Sequence, residues 1–236
     1  MRERLGYLKN FRIDRDEIIR PRDDPFGTDG GVAILRGNIA PEGAMVKTFS
    51  VPKEMHVHTG PARVFEDEPD AIDALVERRI TPGDVLVIRY EGPRANGMPE
   101  MYFAAAILSA DPVLNHTTAL VTDGRYSGAM QGPCIGHVTP EAFDGGPIAL
   151  VEENDLIELN VPERRLAIVG IDGQPRSEEE VTEILAQRRE RWSPRPPRHT
   201  HGILSLYAQV ASSASHGASM PGNGAGAPAG SPPARV

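Results

Sequence analysis

Cysteine is almost missing from this chain: Cys134 is the only one among 236 residues. One thiol makes an intrachain disulfide impossible, and no cysteine-ligated iron–sulfur cluster can be built from this sequence alone. Flanked by Pro133 and Ile135, Cys134 is expected to be a small buried apolar group rather than a ligand or nucleophile. Aromatic residues are scarce at 5%, and basic residues do not outnumber acidic ones. With 25 Lys and Arg against 33 Asp and Glu, the net charge is -8, which argues against a nucleic-acid surface and leaves small molecules or proteins as partners. No run approaches the roughly 20 apolar residues of a membrane span. The first residues, MRERLGYLKN, lack the apolar core of a secretory signal, so the cytoplasm is the expected compartment, without a membrane partner. No internal repeat is visible.

What is present suits one sizeable core with extensions. Residues 1–30 are crowded with charge and poor in apolar positions, and read as a surface arm or an interdomain remnant. The main domain is expected over 31–192. GVAIL at 31–35 and the segment 45–51 read as neighbouring strands joined by a Pro-Glu-Gly turn. His56 and His58 have the spacing of one face of an extended segment, where two imidazoles could share a metal, although a structural or substrate-facing role is the commoner one. Ile72, Leu75, Val76 and Ile80 recur at helical spacing, with acidic residues ahead of them and Arg78 and Arg79 behind. VLVIRY at 85–90 reads as a buried strand, and a helix is expected over 99–110 with Glu100 in its first turn. Short strands are expected at 147–151, 156–161 and 165–169. Ser177 with Glu180 forms a capping box ahead of a helix ending near Trp192.

Beyond it, SPRPPRHT cannot continue a helix, so residues 193–217 read as a proline-rich linker with a last amphipathic helix near 202–215. His199 and His201 lie in that linker and are expected to be solvated. Residues 218–236 are small, polar and proline-rich, and disorder is expected there.

Chemistry concentrates in residues 122–146, TDGRYSGAMQGPCIGHVTPEAFDGG, where six glycines sit among a serine, an arginine and a histidine. TALV at 118–121 reads as a buried strand, so the loop Gly124, Arg125, Tyr126, Ser127, Gly128 leaves a strand end. Such a loop could aim several backbone N–H groups at an anion, but Ser-Gly and Asp-Gly pairs are also ordinary turn formers.

TDGRYSG at 122–128 and GHVTPEA at 136–142 resemble the TDGR-aromatic-SG signature and GHV(S/T)PEA segment of the dehydratase family that acts on dihydroxy acids, phosphogluconate and sugar acids. GNIAPEGAMVK, GPARVFE, GDVLVIRYEGPRANGMPE and GGPIAL look like further family segments in the family's order, over about 31–169. MHVHTGPARVF and ADPVLNHTTALVTDGRYSG look closest to the xylonate-type branch. The resemblance implies a mixed α/β fold, a swivelling β/β/α domain with a barrel-like mixed sheet and flanking helices.

It also implies a hydro-lyase that dehydrates a sugar acid or 2,3-dihydroxy acid to the 2-keto-3-deoxy acid. Ser127 stands where the family has its proposed base, and Glu100 where it has the magnesium ligand of this domain; Asp123, Arg125 and His137 are lesser candidates for substrate contact. The family's iron–sulfur cluster is held by cysteines of an N-terminal domain that nothing in this chain resembles. That half is expected from another chain, and the complete enzyme is expected to self-associate. Two other readings stay open: a non-catalytic or truncated stand-alone domain, and, on His56, His58, Asp123 and His137 alone, a small metal-dependent hydrolase.

Overall fold

A computed structural model describes residues 15–27, 30–127 and 131–220, so Gly128 and most of the tail expected to be disordered lie outside the described residues. The chain divides into two units, Met1–Gly31 and Val32–Val236. In the first, a single helical turn, Arg15–Ile18, precedes a local ion pair between Arg20 and Asp24 at 2.8 Å, with the Arg20 guanidinium over the Phe26 ring.

The second unit is built on a nine-stranded mixed sheet. Its strands are β1 Ala33–Leu35, β2 Gly43–Val46, β3 Val57–Phe65, β4 Val85–Ile88, β5 Ala119–Thr122, β6 Cys134–Thr139, β7 Leu156–Asn160, β8 Arg165–Ile171 and β9 Gln174–Pro175. Their spatial order is β1-β2-β6-β5-β4-β3-β7-β8-β9. β3, β4, β5 and β6 run parallel, and the other pairings are antiparallel. The sheet curls until Arg36, just past β1, bridges Arg165 at the start of β8. Asn38 reinforces this seam, accepting from Ile168 N at 2.8 Å and donating to Ile168 O at 2.9 Å. The barrel-like mixed sheet expected from the sequence is present.

All four residues of β4 and of β5 are buried, as strands covered on both faces require. Val85, Val87, Ala119 and Val121 join the interior cluster with Leu35, Ile157, Leu166 and Ile168. Leu86, Ile88 and Leu120 face outward under two helices, α1 Glu68–Val76 and, after the short turn α2 Pro93–Asn96, α3 Tyr102–Ala110. Ala71, Ala74, Ala104 and Ala105 let these helices approach closely. Helix α4, Glu178–Arg191, carries the expected capping box, and helix α5, Gly202–Val210, follows it.

Several local expectations change. Residues 147–150 form a 3-10 turn rather than a strand, and Arg89 caps its end by donating to the carbonyls of Ile148, Ala149 and Val151. The GHVT segment, to which the sequence assigned no element, lies in strand β6; its glycine serves packing rather than a turn. His56 is in the helical region while His58 lies in β3 with its ring 3.1 Å from Gly83 O, so the two imidazoles do not form the shared face a metal would need. His199 is half-buried and within 2.7 Å of Asn96 Oδ1, not a solvated linker residue.

Candidate active site at the ends of the parallel strands

The parallel pairing brings the carboxyl ends of β3 to β6 to one edge of the sheet, the place where such sheets bind ligands. An acidic residue follows each end: Glu66, Glu91, Asp123 and Glu141.

Asp123 leaves β5 with no exposed surface and is the knot of this edge. Its Oδ1 accepts from Glu91 N at 2.9 Å, and its Oδ2 from Tyr90 N at 3.2 Å and Ala142 N at 2.8 Å. Three loops are thereby tied to one carboxylate. Burial pushes its pKa up to about 6 against the pull of these N–H donors. Asp123 therefore orients the loops and does not present a face to a ligand. Glu91, also buried, accepts from Glu68 N at the head of α1, from Asn96 Nδ2 and from Arg198 Nη1. Glu141 accepts from Arg94 N and Ala95 N at the start of α2. Burial first, then the nearby Asp123 charge, pushes its pKa up to about 8.

From this base the TDGR loop is laid against the segment holding Glu100. Arg125 N donates to Pro99 O at 2.9 Å and Met101 N to Arg125 O at 2.8 Å, forming a parallel bridge between Glu100 and Arg125. A β-carbon on Gly124 would sit 3.0 Å from Glu91 Cβ and 3.1 Å from Pro99 O, so any larger residue would push the two segments apart by a few tenths of an ångström. The bridge also explains why helix α3 starts at Tyr102 and not at Pro99: Glu100 is in an extended link before the helix, and its carboxylate is exposed.

The anion nest expected here is not built by the first loop amides. Gly124 N donates to Thr122 Oγ1 and Arg125 N is taken by Pro99. The cationic character comes from side chains instead. Arg125 is exposed and spends Nε on Met98 O at 2.6 Å. Tyr126 is buried, accepts from Lys47 N at 3.0 Å, and carries the Lys47 ammonium 4.8 Å above its ring. A β-carbon on Gly136 would lie 2.7 Å from that ring, which is why β6 carries a glycine in its interior. Burial, then Arg125 and Lys47, lower the pKa of His137 and favour neutral imidazole. Tyr90, Met98 and His137 all adopt positive φ, at 62°, 58° and 55°. Such strain in residues other than glycine clusters at working sites. Ser127, two residues past the bridge, is half-buried.

Arg125 and His137 line one cleft of about 410 Å³ together with Gly97, Met98, Tyr207, Ala214, Gly217 and Ala218. Sequence reasoning missed Lys47, Glu91, Glu141 and Tyr207, although the first three lie inside or at the end of segments whose wording was informative. The four members of the hydrolase reading are not brought together, since Asp123 is enclosed by backbone donors and His58 faces Gly83.

The model of the dihydroxy-acid/6-phosphogluconate dehydratase C-terminal family matches residues 17–218. The chain belongs to that family. Among relatives named dihydroxy-acid dehydratase, the one from Clostridium novyi (strain NT) is 48% identical over 214 residues, covering 89% of this chain and 36% of the relative. The relative from Agathobacter rectalis is 47% identical over 219 residues, covering 91% of this chain and 37% of its own length. That from Moorella thermoacetica is 48% identical over 207 residues, with 87% and 36% covered. The chain thus spans little more than a third of these dehydratases. No helix among the described residues is long and apolar enough to cross a membrane.

The donor set of this dehydratase domain can be weighed against the metals its family implies. Glu100 is an exposed carboxylate with no hydrogen bond or ion pair among the described residues, which suits one oxygen ligand for a hard divalent cation. Among the described residues no three His, Cys, Asp or Glu side chains gather into a complete metal site. Cys134 is 4% exposed with its thiol pushed up to about 12 by burial, and it does not fit a cluster ligand.

Proposed function

We propose that this domain is the base-bearing part of a hydro-lyase that converts a 2,3-dihydroxy acid to a 2-oxo acid, with Ser127 as the base. The observation that carries the reading is the Glu100–Arg125 backbone bridge, which sets an exposed carboxylate beside the loop bearing Ser127. The names of the relatives support a dihydroxy acid as substrate.

The reaction removes the C2 proton and the C3 hydroxide, and the resulting enol tautomerises to the 2-oxo acid. A serine hydroxyl is too weak a base at neutral pH unless cations hold its alkoxide. Arg125 and Lys47 supply positive charge on this side of the sheet. Ser127 takes the C2 proton, and Arg125 holds the negative charge of the acid in place. Glu100 would lend one oxygen to a magnesium ion, which when bound would stabilise the charge developing on the substrate's carboxylate and C2 oxygen. An iron–sulfur cluster in the complete dehydratase would be held by residues outside this chain, whose single cysteine is buried.

Turnover should appear when this chain is combined with a cluster-bearing N-terminal half, and 2,3-dihydroxybutanoate should be dehydrated with higher kcat/KM than xylonate. A preference for xylonate would move the reading to the sugar-acid branch. A soluble, cluster-loaded complex that turns over neither acid would leave a non-catalytic domain.

A further inference from the structure

The chain does not leave the domain after α4. Trp192 Nε1 donates to Tyr90 Oη at 3.3 Å, and the Arg195 guanidinium stacks 4.1 Å from the Tyr90 ring while pairing with Glu66 at 2.8 Å. Arg198 then reaches the buried Glu91 at 3.3 Å and Glu66 O at 3.2 Å. Helix α5 lies over α2: Arg94 Nε donates to Ala208 O at 3.2 Å, and Leu204 covers Gly97 so closely that a β-carbon there would meet it at 2.7 Å. The turn that follows is pinned at its far side, where Ser215 Oγ donates to Glu42 Oε2 at 2.8 Å. A proline-rich segment held at so many points is a fixed wall and not a linker.

That wall shares a cleft with two of the candidate residues: Arg125 and His137 line about 410 Å³ together with Tyr207, Ala214 and Ala218, while Ser127 and Glu100 are not among the described residues that line it. Its size is in the range of small-molecule pockets, and an arginine, a neutral imidazole and a phenol suit a small hydroxy-acid anion. Tyr207 is half-buried, and its hydroxyl donates to Ala218 O, which fixes the ring across the cleft. We infer that residues 195–218 form one wall of the substrate site and that Tyr207 is a specificity-determining residue, its ring limiting the length of acid the site accepts. This rests on the reading of the domain as part of a dihydroxy-acid hydro-lyase.

Two measurements test the wall and the reaction separately. In the complete dehydratase, Tyr207→Ala should raise the ratio of kcat/KM for xylonate to that for 2,3-dihydroxybutanoate at least tenfold, mainly through KM. Ala214→Leu, which narrows the cleft without touching the ring, should lower the same ratio. Ratios within twofold of wild type for both folded variants would overturn the inference. In this chain by itself, titration with 2,3-dihydroxybutanoate followed by NMR should move the ring signals of His137 and Tyr207 with one common Kd. Movement of His137 alone, or of neither ring, would overturn the wall. Common movement of both rings in a protein whose complete form turns over no acid would keep the wall and sink the hydro-lyase.

Discussion

Two buried carboxylates in this domain are stabilised in opposite ways. Asp155, ahead of β7 in the antiparallel half of the sheet, is 0% exposed and gripped by Arg188 of α4 at 2.5 and 2.9 Å, with Glu152 adding a second acid to the same guanidinium. Asp123, at the end of β5 in the parallel half, is equally buried yet has only backbone N–H groups as partners, and Glu91 and Glu141 lie near it. The pair clamps a helix onto the barrel and uses up its charge. The cluster ties loops together with no cation on Asp123 itself among the described residues, Glu91 alone being paired, to Arg198, and it lies at the end of the sheet that also carries the cleft. One end of the sheet is built for rigidity and the other for holding a site in shape.

The sharpest way to break this comparison is at the pair. Arg188→Ala leaves Asp155 buried and unpaired, and should cost about 3–5 kcal/mol in urea unfolding. A loss under about 1 kcal/mol would mean that water reaches the carboxylate. Next in size, Asp123→Asn replaces one acceptor oxygen with an NH₂ group aimed at backbone N–H donors. It should cost about 1–3 kcal/mol and lower kcat in the complete dehydratase, because the loop carrying Arg125 and Ser127 loses its anchor.

The third prediction concerns pH. The folded pKa of Glu141 is raised from 4.5 to about 8, so the folded state keeps its proton where the unfolded state loses it. Stability should therefore fall as pH rises from about 4.5 to about 8 and level off above. Asp123, raised from 3.8 to about 6, adds the same sign over its narrower window. Glu141→Gln should flatten the slope even though it loses one backbone bond and lowers the overall level; thermal melts across pH 4 to 9 would read the difference. An unchanged slope would show that the proton is held elsewhere. Smallest of all, Arg198→Gln should change stability by no more than about 1 kcal/mol, since the guanidinium is partly exposed and Glu91 keeps its other donors.

Much of the fold was legible because local signals agreed with the tertiary structure. The Ser177–Glu180 box and the buried run at β4 have physical causes written within a few residues, and β1 falls where expected, while its partner is Gly43–Val46 and not 45–51, where Thr48–Ser50 is a 3-10 turn. The errors have causes too. PIAL at 147–150 is a short apolar run, which periodicity alone cannot assign, and Arg89, distant in sequence, decides it. GHVT was hidden as a strand because its glycine makes room for Tyr126, a contact no local pattern reveals.

The site divides the same way. Arg125 and His137 are brought to one cleft, and Glu100 is joined to the loop of Arg125 by a bridge that the sequence does not announce. Glu91 and Glu141 were invisible because an acidic residue in a loop reads as solvated until its burial is known. The proline-rich stretch read as a linker for want of any sign that Arg195, Arg198 and His199 had partners waiting.

The role of Ser127 is the claim on which the functional account turns, and steady-state kinetics of Ser127→Ala in the complete dehydratase test it most directly. The account predicts that kcat falls by at least about 10²-fold, as expected for loss of a general base, with KM for the dihydroxy acid within a few-fold of wild type. A variant that retains wild-type kcat would contradict it.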